Sequence, residues 1–245
     1  MAASQPKNRR ALVWAVVGAA IIVGAIIAII ASGLFADSTA PAPTQSPSTT
    51  ADPSIHPSAE PAGATVDPSV TDNGWIPEPI TTDRDTYTRA ALAAASTFDT
   101  QLSSRNDWLS YLDTWFTPDT RYVSQADRDD DMAASQLELR QAVVLPESEW
   151  DSLANEDGRV AASVPGRIDY TDVPDDESSD MSIATADVLL TFTRSDGVGN
   201  DASYDETVRV SVQVLCGDES VPTPNSDQQA GDCKVVRYFS GTLEH

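Results

Sequence analysis

The chain is short of positive charge. Its 245 residues include 15 Lys and Arg against 38 Asp and Glu, which gives a formal net charge of −23 at pH 7. Three of the basic residues, Lys7, Arg9 and Arg10, lie in the N-terminal segment, so the rest of the chain sets 12 basic residues against 38 acidic ones. Nucleic-acid binding needs clustered basic side chains. We therefore predict no nucleic-acid partner and a domain kept soluble by self-repulsion.

Histidine and catalytic motifs are also scarce. The two histidines are His56, within a proline-rich stretch, and His245, at the C-terminus. The sequence contains no G-x-S-x-G, no H-E-x-x-H and no phosphate-binding loop. Asp and Tyr residues that could supply a base and an oxyanion donor are present, for example Tyr111, Asp113 and Tyr122, but no spacing selects a pair. We therefore predict no catalytic residue, no cofactor and no metal site.

Cys216 and Cys233 are the only cysteines, with 16 residues between them. They end one predicted strand and begin the next, and an even pair of this kind outside the cytosol predicts a disulfide. A catalytic thiol pair would be spaced C-x-x-C, and a zinc site would need further ligands. Closing a loop of this size stabilises a fold by about 3 kcal/mol in the chain-entropy model.

One long apolar run is present near the N-terminus. From Ala11 to Ala31 the sequence has no charge and no proline, and about 20 apolar residues suffice to cross a bilayer as a helix. We predict a transmembrane helix over 11–33, a cytosolic tail over 1–10 and an extracytoplasmic C-terminal part, since the basic residues precede the run. A cleaved signal is the alternative, but its apolar region would be shorter and Leu34 disfavours the nearest cleavage site.

Residues 34–74 are dense in Pro, Ser, Thr and Ala and have almost no large apolar side chain. Such a segment cannot bury enough surface to offset its ordering entropy. We predict a disordered stalk with an extended reach on the order of 100 Å. Trp75 and Ile76 are too apolar to remain in water, so we expect them to dock on a folded extracytoplasmic domain over 75–245.

The first part of this domain has helical periodicity. Thr82 and Asp85 form a plausible capping start. The apolar residues that follow fall on one helix face: Tyr87, Ala91, Ala94, Ala95, Phe98 and Leu102.

A second, aromatic helix follows. Ser104 with Asp107 can cap it and Pro118 ends it. Its apolar face consists of Trp108, Leu112, Trp115 and Phe116. Two weaker segments, 132–144 and 147–158, are predicted as a third helix and a short fourth one.

From residue 158 the period becomes two, which predicts strands. The one-sided sets are Val160, Ala162 and Val164; Ala184, Ala186, Val188, Leu190 and Phe192; and Val208, Val210, Val212 and Val214. A last strand covers 233–243. Turn-rich stretches without helices separate these strands, which favours an antiparallel sheet with one buried face. Helices first and sheet second is an α+β order.

The acidic segment 127–138 has part of the spacing of a calcium loop. Oxygen-bearing side chains occupy positions 1, 3, 5, 9 and 12: Asp127, Asp129, Asp131, Ser135 and Glu138. The glycine that the sharp turn requires is replaced by Met132. We therefore interpret the segment as a solvated acidic loop without calcium.

The order of these elements, with the W-x-x-x-L-x-x-W spacing of Trp108, Leu112 and Trp115, resembles the nuclear-transport-factor-2-like (SnoaL-like) cone fold. With the basic tail, single span and stalk, the chain is similar to the single-span scaffold proteins of conjugation and type IV secretion, including the TcpC-like proteins of Gram-positive bacteria. The stretch "WIPEPITTDRDTYTRAALAAASTFDT" also resembles exported proteins of actinobacteria. The resemblance covers roughly residues 75–243 and carries over no functional residue.

It implies helices packed on a curved antiparallel sheet and a non-catalytic, membrane-anchored scaffold of a cell-envelope complex. We expect protein partners or a homo-oligomer. The alternatives are a cell-envelope enzyme or small-ligand-binding cone, and a stalked surface adhesin or sensor. The polar strand face of Arg209, Ser211 and Gln213 is the predicted contact surface.

Overall fold

The computed structural model describes residues 63–195 and 200–239. The predicted cytosolic tail, the predicted transmembrane helix over 11–33 and residues 34–62 of the predicted stalk lie outside the described residues. Among the described residues, no helix is long and apolar enough to cross a bilayer.

The described chain begins with structure that the sequence assigned to the stalk. A 3-10 helix covers Pro68–Asn73, and the Asp67 carboxylate caps it by accepting the Ser69 N–H at 2.9 Å. Val70 in this helix is buried, and Thr65 forms a β-bridge with Pro79. The folded part therefore begins before Trp75.

Gly74 turns the chain from the 3-10 helix into the core. Its φ is +76°, and a Cβ at this position would lie 2.7 Å from the Asp99 Cβ, so only glycine fits without a shift. Trp75 then stacks on Tyr111 with ring centroids 5.0 Å apart, and Ile76 packs against the core. The predicted docking of these two residues is confirmed.

Helix α1 covers Arg84–Ala94 and begins one residue later than predicted, because Asp83 rather than Thr82 is the N-cap. It also ends earlier than the apolar pattern suggested. Phe98 lies in a short strand, β1 (Phe98–Asp99), and Leu102 is 52% exposed. Pairing of β1 with the sheet therefore overrides the helical period after Ala94.

Helix α2 covers Arg105–Asp113 and has the predicted cap, in which the Ser104 hydroxyl accepts the Asp107 N–H at 3.2 Å. The predicted apolar face is buried, although Trp115 and Phe116 follow the helix rather than belong to it.

Helix α3 covers Gln125–Glu138 and continues into a π-helical turn, Leu139–Val143. Helix α4 covers Glu147–Ala154 and ends before Gly158, close to the predicted end. The sequence predicted helical structure over 132–144, but not the start at Gln125.

The acidic segment 127–138 is helical and not a loop, so the loop interpretation is wrong. Ser124 caps the helix through the Asp127 N–H at 3.1 Å. Consecutive residues of a helix are rotated by about 100°, so Asp127, Asp129 and Asp131 cannot wrap one cation as a calcium loop does. Among the described residues, no group of three or more His, Cys, Asp or Glu side chains is placed to hold a metal.

Six strands form one antiparallel sheet in the order β1-β2-β4-β5-β6, and β3 pairs with β4 on the same side as β2. The remaining strands are β2 (Arg159–Ser163), β3 (Asp169–Asp172), β4 (Met181–Ser195), β5 (Asp201–Leu215) and β6 (Lys234–Phe239). The four main strands were predicted, whereas β1 and the short, polar β3 were not. Residues 240–243 of the predicted last strand lie outside the described residues.

The core lies between the helices and the face of the sheet that carries the predicted one-sided sets. The buried residues of this face include Val160, Ala184, Ala186, Val188, Val212 and Val214. They pack against Tyr87, Trp108, Trp115 and Trp150 of the helical layer. The α+β class, with helices on a curved antiparallel sheet, is thereby confirmed for the described residues.

Candidate functional site

A cleft of about 350 Å³ opens between the helical layer and the core face of the sheet. Its wall is mostly apolar and includes Leu92, Phe98, Val144, Val160, Leu190 and Phe192. Two charged residues, Glu206 and Arg209, also border it. Such a cleft suits apolar side chains or a small apolar molecule.

The π-helical turn and the residues after it form one wall of the cleft. Leu139 is fully buried and anchors the turn, and its carbonyl accepts the Val144 N–H at 3.1 Å. The Arg105 guanidinium of α2 donates to the carbonyl oxygens of Arg140 at 3.3 Å and Leu145 at 3.1 Å. These bonds hold both ends of the wall against α2.

Among residues 63–195 and 200–239, strand β5 is paired along its full length on one side only. Every residue of Asp201–Leu215 faces a residue of β4, whereas β6 pairs only with Ser211–Leu215. No described residue pairs with the other side of Asp201–Val210, which we call the free edge. Glu206, Val208 and Val210 of the free edge also line the cleft, so the two features are continuous.

The predicted contact surface is only partly exposed. Arg209 is exposed and donates to Asp187 and Asp169, each at 3.0 Å. Ser211 and Gln213 are buried, so these two residues are a correction to the prediction. The Ser211 hydroxyl bonds the Thr185 hydroxyl at 2.8 Å.

Strand alternation placed Ser211 and Gln213 on the face away from the helices, and that face is covered near β6. A second apolar cluster lies there, formed by Val173, Met181, Leu215 and Val236. The loop after α2 brings Asp119 to the same face, where the Gln213 amide lies 3.4 Å from its carboxylate. The alternation of side chains along β5 shows which face Ser211 and Gln213 share, but not that other segments bury this face.

Asp119 is buried and pairs with the Arg121 guanidinium at 2.6 Å. Burial alone would raise the pKa of Asp119, but the hydrogen bonds and charge of Arg121, helped by Gln213, leave it below its ordinary value. Arg121 also donates to the Pro174 carbonyl at 3.1 Å. The pair therefore joins the loop after α2 to the segment before β4.

The predicted disulfide between Cys216 and Cys233 is confirmed. It closes the loop between β5 and β6, and the Cys233 N–H donates to the Thr81 carbonyl at 2.8 Å. The start of the domain is thus joined to the start of β6 beside the disulfide.

A buried ion pair lies next to this disulfide. Lys234 Nζ is 2.8 Å from Glu78 Oε1, and both side chains are essentially inaccessible to solvent. The ammonium also donates to the Thr114 carbonyl at 2.8 Å and the Thr223 hydroxyl at 2.7 Å. The Tyr87 hydroxyl donates to Glu78 at 2.7 Å.

The environment of the ion pair shifts two pKa values. Burial lowers the pKa of Lys234, and the Glu78 carboxylate only partly opposes this effect. Burial and the Glu78 charge raise the pKa of Tyr87. The three ammonium hydrogens have close acceptors, and neither charged residue lines the cleft. The arrangement joins chain segments and is not placed to act on a molecule in the cleft.

The Glu78–Lys234 pair was not predicted from the sequence. The only lysines of the chain are Lys7 and Lys234, and Lys234 stands within the apolar stretch "CKVV". A lone lysine in a buried strand was the available signal. Its partner Glu78 is distant in the sequence, and nothing in "WIPEP" indicates a buried carboxylate.

The geometry defines an α+β domain with an apolar cleft and a central strand whose first half has no described partner on one side. No family model and no curated protein matches the chain. Two solved structures are similar. One is an IcmL-like type IV secretion system protein from Legionella pneumophila, with 13% identity and a TM-score of 0.41 over 66% of this chain and 95% of that one. The other is CagV, a VirB8 homolog of the type IV secretion system of Helicobacter pylori, with 16% identity and a TM-score of 0.35 over 65% of this chain and 97% of that one.

Proposed function

We propose that the chain is a non-catalytic, membrane-anchored scaffold of a cell-envelope assembly, of the conjugation or type IV secretion kind. The free edge of β5 carries this proposal, because unpaired backbone beside an apolar cleft is suited to binding protein. The resemblance to the cone-fold and TcpC-like scaffolds belongs to the proposal. In this proposal the helix predicted over 11–33 is the membrane anchor, and residues 63–239 act outside the cytosol.

The polar groups near the cleft favour binding over catalysis. Arg209 is engaged by Asp169 and Asp187, and the other charged residue of the cleft, Glu206, is exposed. The buried ionisable groups Glu78 and Lys234 lie elsewhere and bond each other. An acid–base pair would instead bring a perturbed group to the reacting molecule.

Site-specific photo-crosslinking in cells tests the proposal. We expect a photoreactive amino acid at Glu206, on the free edge, to crosslink the full chain to defined envelope proteins. The same amino acid at Glu177 is the control, because this exposed residue precedes β4 at the far end of the β4–β5 ladder. Monomer alone at both positions, and at further surface positions on α2 and α3, would contradict a scaffold.

A small apolar ligand is the second candidate, favoured by the volume and lining of the cleft. About 350 Å³ lies at the low end of the range for ligand pockets. Native mass spectrometry of protein purified from its own cells would reveal a bound molecule. A stoichiometric ligand that is lost when Val160→Trp fills the cleft would favour this function over the scaffold.

A further inference from the structure

We propose that the free edge of β5 binds an extended segment of a partner protein by strand pairing, and that this segment carries both apolar and basic side chains. The proposal deepens the scaffold function and rests on it. The partner strand would lie beside Asp201–Val210, about 4.8 Å from β5 and beyond the described end of β6 at Phe239.

The two faces of the free edge differ in chemistry. On the core face, Val208 and Val210 border the cleft and are only partly exposed, and Glu206 stands next to them. Side chains that face one another across paired strands share a face. A partner residue opposite Val208 or Val210 would therefore place its side chain at the cleft, where apolar groups lose contact with water.

The negative charge of the free edge favours basic side chains in the partner segment. Asp201 is paired with Arg159, and Asp169 and Asp187 already neutralise Arg209. Asp205 and Glu206 are therefore the acidic residues of this edge without a basic partner among the described residues. Glu206 is exposed and has no hydrogen-bond or ion-pair partner among the described residues. Basic side chains opposite Glu206 and Asp205 would complete cross-strand charge pairs.

A second copy of the chain fits this edge poorly. Because paired residues share a face, antiparallel pairing of two free edges about a two-fold axis would place Glu206 opposite Glu206 of the other copy, or Asp205 opposite Asp205. Like charges directly opposite one another are destabilising, and the net charge of −23 adds to the repulsion. Charged edges are a known means of preventing self-association. The same charges leave the edge open to a basic segment.

The proposal can be tested with one designed peptide and the full chain in detergent. The capped peptide Val-Thr-Ile-Thr-Lys-Lys-Val-Thr places Val and Ile opposite Val210 and Val208 when it pairs antiparallel, and its two Lys opposite Glu206 and Asp205. We expect saturable binding with a Kd of about 1 mM or tighter. Amide NMR shifts should be confined to the free edge and the cleft.

Backbone methylation distinguishes strand pairing from simple charge attraction. Methyl groups on one alternate set of peptide nitrogens point at β5, and those on the other set point away. One methylated peptide should lose about tenfold or more in affinity, and the other should bind like the parent, because only one set removes hydrogen bonds. Equal affinity of both peptides would overturn the proposal.

Charge reversal supplies the matched control on the protein. Glu206→Lys should weaken binding about three- to tenfold. Glu177→Lys makes the same charge change at the far end of the β4–β5 ladder and should alter affinity less than about twofold. Both residues are exposed, so both variants should fold. Equal weakening by the two variants would overturn the proposal.

Other occupants give different results, each of which overturns the proposal. Absence of peptide binding to both the full chain and a chain ending at Phe239 excludes strand capture. Binding to the shortened chain alone assigns the edge to residues 240–245. A dimer that Glu206→Lys dissociates assigns it to a second copy. Crosslinks to envelope proteins from other surfaces, without peptide binding, would refute the edge proposal and leave the scaffold function standing.

Discussion

At the scale of residues, Lys234 explains how the ends of the described chain are joined. Removing a charge from water costs several kcal/mol unless it is paired and hydrogen-bonded. Glu78, Thr114 and Thr223 supply acceptors from three separate segments. The free energy lost by burying the Lys234 charge is therefore offset only when all three segments are in place. We interpret the pair as a device that specifies one arrangement of the chain around β6.

Removing one partner of the ion pair should destabilise the fold more than replacing both partners by apolar residues. Glu78→Gln leaves the Lys234 ammonium buried without an anion, and we expect a loss of about 3–5 kcal/mol in the free energy of unfolding. Glu78→Leu combined with Lys234→Met should cost less than the single change. Urea unfolding followed by circular dichroism measures both.

The matched control for this prediction is Glu156→Gln. Glu156 forms an ion pair with Arg194 at 3.0 Å, but both side chains are partly exposed. We expect its loss to cost no more than about 1 kcal/mol. A similar cost at Glu78 and Glu156 would contradict the role given to burial.

Asp119 should contribute a pH-dependent part of the stability. Its pKa in the folded state lies below the ordinary value of 3.8, so the unfolded state binds the proton more tightly than the folded state. The contribution is therefore present above pH 3.8 and is lost as the pH falls through the folded pKa.

Unfolding curves recorded between neutral pH and about pH 2 measure this contribution. We expect Asp119→Asn to be less stable than the parent at neutral pH and to lose less further stability in acid. Arg121→Met should raise the folded pKa of Asp119 and so reduce or abolish the acid loss due to this group. Parallel stability curves for parent and Asp119→Asn would refute the assignment.

At the scale of elements, the sequence predicted what depends on local periodicity. The buried sets of β2, β4 and β5 and the cap of α2 follow from side-chain spacing and cap chemistry alone. The π-helical turn Leu139–Val143 does not, because its wider backbone hydrogen bonding has no signature in the side-chain pattern of "LRQAV". Strand β3 is short and polar, so nothing in "DYTD" has a strand period.

The free edge of β5 was not predictable from the sequence for a related reason. The first half of β5, "DASYDE", is acidic and exposed and lacks the apolar alternation of its second half. The apolar alternation of this strand therefore begins only at Val208, and it gives no sign of the length that no described residue pairs. Whether an edge is free depends on how far the neighbouring strand reaches, and that is a property of the sheet rather than of either segment.

The disulfide should stabilise the β5–β6 connection without determining the sheet. Reduction, or Cys216→Ala with Cys233→Ala, should lower the free energy of unfolding by about 3 kcal/mol, the value for a loop of this size. The β4–β5 ladder extends over 15 residue pairs without help from the cross-link. The far-ultraviolet circular dichroism spectrum should therefore keep its strand signal.

Denaturant unfolding with and without reductant gives the size of this effect. Reductant should not affect the double alanine variant, which serves as the control. A reduced protein with the spectrum of an unfolded chain at room temperature would show that the disulfide is required for folding itself.

At the scale of the whole molecule, charge and length separate the parts of the chain. The N-terminal segment is basic, the run over 11–33 is apolar and the remainder is strongly acidic. An acidic domain is repelled by anionic lipid headgroups, and a proline-rich tether would hold it away from them.

This arrangement predicts the result of protease treatment. In intact cells stripped of their wall, added protease should cut within residues 34–62 and release a soluble fragment, because the described fold from residue 65 onward offers paired backbone and a buried core. The fragment should retain the Cys216–Cys233 disulfide and a cooperative melting transition, and the membrane fraction should keep the N-terminal piece.

A full-length chain that survives in intact cells but is cut after lysis would place the domain in the cytosol and refute the orientation. A fragment already present in the medium without protease, starting after residue 36, would instead mean that the apolar run is a cleaved signal. In that case the acidic domain would have to find its partners by diffusion, because no anchor would hold it at the membrane.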